Sequence, residues 1–302
     1  TGTDYVYPDI SNINFVKVLA NISPNGGAFA GLDANGNVYC WGSMSYGGLP
    51  IIDEDKTFNG QPTWEGNHWN TSGNRPGYTF TPLDLTNCQD IISTIDGFGA
   101  IQNPNGRFVS WGNRAVGFTN EYNVTKAVHN GLFWALLKSN GSVVITGYYS
   151  TTHTHYYKYG SNTYPTNVSS ELSSGVIDVQ AGSYWFAALK DNGKLIIWGD
   201  SNAAGDAYGV ETYVQGTYST PRTTIQSGIL DSGVADFFCL AKSGIALKTD
   251  GSIVTWGLAG NGGDSSSVSS EISSNVTSIA KNLAQIGLFN PFTFASQPSE
   301  YY

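Results

Sequence analysis

His153 and His155 stand one residue apart in His153-Thr154-His155, and on a β-strand that spacing puts both imidazoles on one face, an arrangement that divalent metals use. No further ligand stands at a matching interval, so exposed loop histidines are the simpler reading, and no metal site is assigned. Asp55, Thr57, Asn59 and Gly60 repeat the opening of a calcium loop, but position twelve, which must supply a bidentate carboxylate, is Gly66, and Glu65 is out of register. No serine sits in a nucleophile-elbow motif and no glycine-rich loop precedes a helix to cradle a phosphate. The chain is therefore expected to be no enzyme and to carry no cofactor.

Aromatic residues are the more promising chemistry. One stretch of sequence carries Trp64, His68, Trp69, Tyr78 and Phe80, a second Tyr156, Tyr157, Tyr159 and Tyr164, and a third Tyr208, Tyr213 and Tyr218. Tyr and Trp give a large amphipathic contact area at low entropic cost, as in paratopes and sugar platforms. The same rings can instead anchor a long loop to its own scaffold. Trp64, His68, Trp69, Tyr78, Tyr156, Tyr157, Tyr159, Tyr208 and Tyr213 are the candidate binding residues.

The elements that must position these stretches form a repeat. Asn35-Gly36, Asn105-Gly106, Asn140-Gly141, Asn192-Gly193 and Asp250-Gly251 are each followed, six residues after the glycine, by Gly42, Gly112, Gly147, Gly199 or Gly257. Four of these closing glycines follow a tryptophan: Trp41, Trp111, Trp198 and Trp256; the third copy has Thr146. An Asn-Gly or Asp-Gly pair between apolar runs is a hairpin signal, because both residues tolerate the positive φ of a type I′ turn. Hairpins are thus expected near 28–42, 98–112, 133–147, 185–199 and 243–257, with a decayed copy over 276–296. Before the turn one column reads Ala30, Ala100, Ala135, Ala187 and Ile245 and another Leu32, Gln102, Leu137, Leu189 and Leu247, a small-then-large pattern suited to a strand between neighbouring units. Apolar lead strands precede most hairpins, at Phe15–Leu19, Ile91–Ile95, Val176–Val179 and Val234–Phe238. A lead strand plus a hairpin cannot bury both faces alone and must stack on its neighbours, which points to an all-β, single-domain β-propeller over residues 1–302. Six blades are expected, with seven the alternative, and Tyr5-Val6-Tyr7 is a candidate closing strand. Insertions fall at 43–86, 148–174, 200–233 and 258–274, in the same place in most copies, after the Trp-Gly or its substitute, and are expected on one face.

The segment Ala181-Gly182-Ser183-Tyr184-Trp185-Phe186-Ala187-Ala188-Leu189-Lys190-Asp191-Asn192-Gly193-Lys194-Leu195-Ile196-Ile197-Trp198-Gly199 resembles the repeat of the regulator of chromosome condensation family, which runs from an Ala-Gly through a Leu and a turn Gly to Trp-Gly. The resemblance implies that family's propeller. It departs at the family's usual His, where Trp185 stands here, with Ala28, Phe98, Phe133 and Ser243 at matching positions. The fold therefore carries over and the partner does not.

Composition narrows the function. Charged residues make up 12% of the chain and the net charge is -9, so the counterion release that drives nucleic-acid binding is missing. A polar, weakly charged surface is more usual outside the cell. No stretch reaches the ~18 apolar residues of a membrane span and no signal peptide is visible. Starting at Thr1, the chain is expected to be processed or part of something longer. Cys40, Cys88 and Cys239 leave at least one thiol unpaired, and a Cys40–Cys88 bridge between adjacent blades stands open against three buried thiols. Three functions remain: a recognition or adhesion module on a cell or virion surface holding a protein or glycan; a structural subunit of a virion, fibre or surface assembly; and a secreted protein inhibitor.

Overall fold

The computed structural model describes residues 9–23, 26–43, 46–48, 51–53, 57–58, 61–62, 80–82, 84–112, 121–131, 133–147, 166–199, 222–223 and 225–281. Among them the chain is all-β apart from one short α-helix and two 3-10 turns. The first sheet is β1 (Phe15–Ser23), β2 (Gly26–Asp33) and β3 (Val38–Gly42). After it β4 (Ile51–Asp53) pairs with β7 (Phe80–Pro82), and β5 (Thr57–Phe58) with β6 (Gln61–Pro62). The second sheet is β8 (Cys88–Ser93), β9 (Gly97–Gln102) and β10 (Arg107–Gly112), and the third β11 (Val124–His129), β12 (Phe133–Lys138) and β13 (Val143–Gly147). Helix α1 (Thr166–Glu171) leads into the fourth, β14 (Val176–Ala181), β15 (Trp185–Lys190) and β16 (Leu195–Gly199). In the fifth, β17 (Arg222–Thr223) adds a fourth strand on β20 (Ile253–Leu258), beyond β19 (Ser243–Lys248) and β18 (Val234–Cys239). All five are antiparallel meanders with the build of propeller blades. The chain divides into two compact units, Thr1–Val124 and Thr125–Tyr302. Tyr5–Tyr7 and most of the decayed copy lie outside the described residues.

The glycines of the five turn pairs, Gly36, Gly106, Gly141, Gly193 and Gly251, all have positive φ, but Asn35, Asn105, Asn140, Asn192 and Asp250 do not, so the hairpins form without the expected type I′ turn. Neighbouring sheets stack within each unit. In the first, Ala28, Ala30, Leu32 and Cys40 of the first sheet share a core with Ile91, Phe98, Ala100, Val109 and Trp111 of the second. In the second, the fourth sheet is buried on both faces: Phe186, Ala188, Ile196 and Trp198 pack on the third, and Trp185, Ala187, Leu189 and Leu195 on the fifth. Alanine columns let backbones approach, and Ala30, Ala100, Ala135 and Ala187 are all fully buried. Ile245 is only half-buried.

One further expectation is corrected and one open alternative is decided. The columns of the second copy slip by one before the turn: Trp111 pairs with Phe98, whereas Trp41 pairs with Phe29 and Trp198 with Phe186. The turn is one residue longer: four residues separate Gln102 from its partner Arg107, where three separate Asp33 from Asn37 and Lys190 from Lys194, so Gln102 ends the strand instead of replacing a core leucine. Its amide donates to Asp84 O at 2.7 Å and Thr86 O at 2.9 Å. The bridge between Cys40 and Cys88 is not formed; both are buried free thiols in one core cluster, as is Cys239 in another.

The repeats are joined by a device absent from the sequence columns. The residue before each following lead strand has positive φ, Asn87, Asn123, Gly175 and Gly233, and so does Asn275, after which no strand is described. Each is followed by an N–H that donates to the carbonyl of the preceding turn glycine: Cys88 to Gly36 at 2.8 Å, Val124 to Gly106, Val176 to Gly141 and Val234 to Gly193 at 2.9 Å, and Val276 to Gly251 at 3.0 Å. Insertions thus leave at the Trp-Gly end of a sheet and return at its Asn-Gly end. Their last residues belong to the core, with Leu85, Leu172 and Leu230 buried. The carbonyls of these leucines accept from Val38, Val143 and Leu195 of the preceding third strand.

Candidate functional site

The nine candidate binding residues of the sequence, Trp64, His68, Trp69, Tyr78, Tyr156, Tyr157, Tyr159, Tyr208 and Tyr213, lie outside the described residues, as do His153, His155, Asp55 and Gly66. Among the described residues no cluster of His, Cys, Asp or Glu could hold a metal ion. What the fold does present is an aromatic face on the first sheet.

Alternation along β2 and β3 sends Ala28, Ala30, Leu32 and Cys40 into the core shared with the second sheet, and Phe29, Gly31, Tyr39 and Trp41 to the other face. Phe29 and Trp41 stack at 5.5 Å with ring planes 13° apart. Phe15 lies 5.8 Å from both Trp41 and Tyr39. The ring of Phe15 occupies the space a side chain at position 31 would fill, since a Cβ on Gly31 would come within 2.5 Å of it. Gly31 is thus what lets three strands share one ring cluster. The fourth sheet makes the same pair, Phe186 on Trp198 at 5.3 Å and 27°, and there both are buried, at 0% and 4% exposure. Phe29 is 41% exposed and Val18, one pair away on β1, 49%. Val16, 64% exposed, falls at the register shift between Phe15 and Lys17, where a bulge turns one extra residue outward.

Asp33 rigidifies the rim of this face. Its Oδ1 accepts from the backbone N–H of Asn35 and of Asn37, both at 2.8 Å, and its Oδ2 from Asn37 Nδ2 at 2.9 Å and Tyr39 Oη at 3.4 Å. The Asn37 side chain and these amides hold the Asp33 carboxyl below its ordinary range, while burial and then the Asp33 charge push the Tyr39 phenol up. On the inner edge Lys17 Nζ meets Asp90 Oδ1 at 2.6 Å and donates to Ile91 O at 2.8 Å. Both side chains are well exposed, so the pair adds little stability, but it fixes the first sheet on the second. The arrangement sets flat apolar rings beside one half-buried phenol, with the Asp33 carboxylate buried at their rim.

The other local anomaly has a structural account. Tyr184, a bulky residue at φ 66°, is clamped by two neighbours: its N–H donates to Asn130 O at 2.8 Å, and the N–H of Ser183 to Ala241 O at 2.9 Å. Those bonds offset the strain of the turn.

Phe15, Phe29, Gly31 and Tyr39 were not among the sequence candidates, and Trp41 was assigned to the repeat scaffold. Parity places these residues opposite the alanine column, which was visible; that nothing described covers them was not.

No family model matches the chain, and no curated protein matches it. Solved structures similar to it include the entire ectodomain of the Physcomitrella patens receptor kinase CR4 (18% identity, TM-score 0.38, 80% of this chain and 62% of that one) and human WBSCR16 (15%, 0.44, 80% and 62%). A third is yeast RCC1 (Prp20) bound to Kap60, at 16% identity and TM-score 0.45, over 80% of this chain and 56% of that one. The chain resembles RCC1-like propellers. It spans less than two thirds of the length of these three RCC1-like and receptor structures.

Proposed function

We propose that the chain is a non-enzymatic recognition module that holds a protein partner on the aromatic face of its first sheet and acts outside the cell. One observation carries this reading: the Phe29–Trp41 stack is open where the equivalent Phe186–Trp198 stack lies between two sheets. A face with the relief of a sheet interior fits the flank of another β-sheet, and Trp, Tyr and Phe dominate interface hot spots. The aromatic residues of the insertions are proposed as an extension of this surface. The low charge supports an extracellular setting and the acidic balance disfavours nucleic acid. The test is a protein array and a glycan array probed with the chain and with Phe29→Glu. Protein signals lost in the variant support the reading; signals unchanged by it, or confined to glycans, overturn it.

A second reading rests on the same exposure: the face packs on another copy, making the chain a structural subunit. Sedimentation distinguishes the two, since a concentration-dependent oligomer abolished by Phe29→Glu belongs to this second reading alone.

A further inference from the structure

We propose that Asn105-Gly106 is a site of spontaneous deamidation that loosens the hold of this turn on Asn123 and Val124. The described residues hold six Asn-Gly pairs, and in five the glycine N–H is tied: Gly36 to Asp33 O at 3.1 Å, Gly131 to His129 Nδ1 at 3.1 Å, Gly141 to Lys138 O and Gly193 to Lys190 O at 2.9 Å, and Gly262 to Ala259 O at 3.2 Å. Gly106 N–H has no acceptor among the described residues. The extra residue of that turn sets Asn103, not the strand-ending Gln102, three residues before Gly106, and Asn103 O accepts no bond from it.

The chemistry needs only water. The Gly106 amide nitrogen loses its proton to hydroxide and attacks Cγ of Asn105; a C–N bond forms and ammonia leaves, giving a cyclic imide. Water then opens the ring at either carbonyl and yields aspartate or isoaspartate. A hydrogen-bonded N–H is harder to deprotonate and its nitrogen is aimed away from Cγ, so the other pairs are protected. Their side chains are tied as well: Asn140 Oδ1 accepts from Ser142 N at 3.0 Å and Ser142 Oγ at 2.7 Å, and Asn192 Oδ1 from Lys194 N at 3.0 Å. Asn105 is exposed and its side chain has no partner among the described residues. Glycine also removes the steric block a side chain would raise.

The product changes the junction. Asn105 O accepts from Asn123 N at 2.7 Å and Gly106 O from Val124 N at 2.9 Å, so these two successive carbonyls hold the start of β11. Isoaspartate inserts a carbon into the backbone between them and misaligns the pair, while either product adds a negative charge. Peptide mapping by mass spectrometry of the full chain aged in mildly alkaline buffer, folded and in urea, tests this. Folded protein converts Asn105 several-fold faster than Asn140 or Asn192, and urea brings the three together. Amide exchange at Asn123 and Val124 rises on ageing, and Asn105→Gln suppresses the rise. Conversion of Asn140 or Asn192 as fast as Asn105 in the folded chain, or no change at Asn105 while urea converts it, overturns the proposal.

Discussion

Phe186 with Trp198 and Phe29 with Trp41 are the same pair on the same strands of the repeat, at nearly the same ring separation, yet the first is buried while the second leaves Phe29 exposed and Trp41 half-buried. The hairpin makes the stack; the neighbouring sheet decides what the stack is for. Local sequence therefore fixes the shape of each unit, whereas the role of a face is settled by what lies against it.

That contrast can be broken by substitution. Trp198→Ala removes a buried aromatic and should destabilise by about 3–5 kcal/mol in urea denaturation. Because Trp198 Nε1 is buried without a hydrogen-bond partner, Trp198→Phe should cost far less. Phe29→Ala, at the exposed counterpart, should cost about 1 kcal/mol, the usual scale for a single substitution. Equal losses at Trp198 and Phe29 would end the distinction. A finer probe is Gly31→Ala, whose Cβ displaces the Phe15 ring: stability changes little, while tryptophan fluorescence becomes more open to quenchers through Trp41. Unchanged quenching would show that Phe15 does not cover that face.

Titration sharpens the comparison further. Asp33 of the first sheet, whose fourth-sheet counterpart is Lys190, has a folded-state pKa below its unfolded value. Its stabilising contribution is therefore complete above the ordinary carboxyl range and is lost as pH falls through the depressed folded value. Amide exchange at Asn35 and Asn37 should rise in that acid window and stay flat in Asp33→Asn. In the core beneath the first sheet, burial pushes the Cys40 thiol up to about 12, and Cys88 likewise. Folding favours both as neutral thiols, so their contribution is complete below about pH 8.5, the ordinary thiol value, and declines as pH rises toward about 12. Native protein at neutral pH should resist alkylation at Cys40, and rapid labelling would contradict its burial.

Much of the fold was legible because hairpin turns are local. Asn192-Gly193 and Trp198-Gly199 name one another at a fixed interval, and the alternation between them shows both buried faces. The third lead strand, Val124–His129, was missed because Thr125, Lys126 and His129 break its apolar run. The positive-φ junctions were visible only as Asn or Gly before Cys88, Val124, Val176, Val234 and Val276, a column whose meaning is a hydrogen bond to a distant turn. The register of the second copy was misread because an extra turn residue before Gly106 shifts pairing without changing the interval from Gly106 to Gly112. The aromatic face was harder still, since exposure is a property of neighbours and Trp41 has the same sequence signature as buried Trp198.

Hydroxyl-radical footprinting of the native chain asks most directly whether that face is open. Phe29 should be oxidised readily in the folded protein and Trp41, partly covered by Phe15, more slowly, with Phe186 and Trp198 modified only on unfolding. Protection of Phe29 equal to that of Phe186 would contradict the assignment of this face as a surface for recognition.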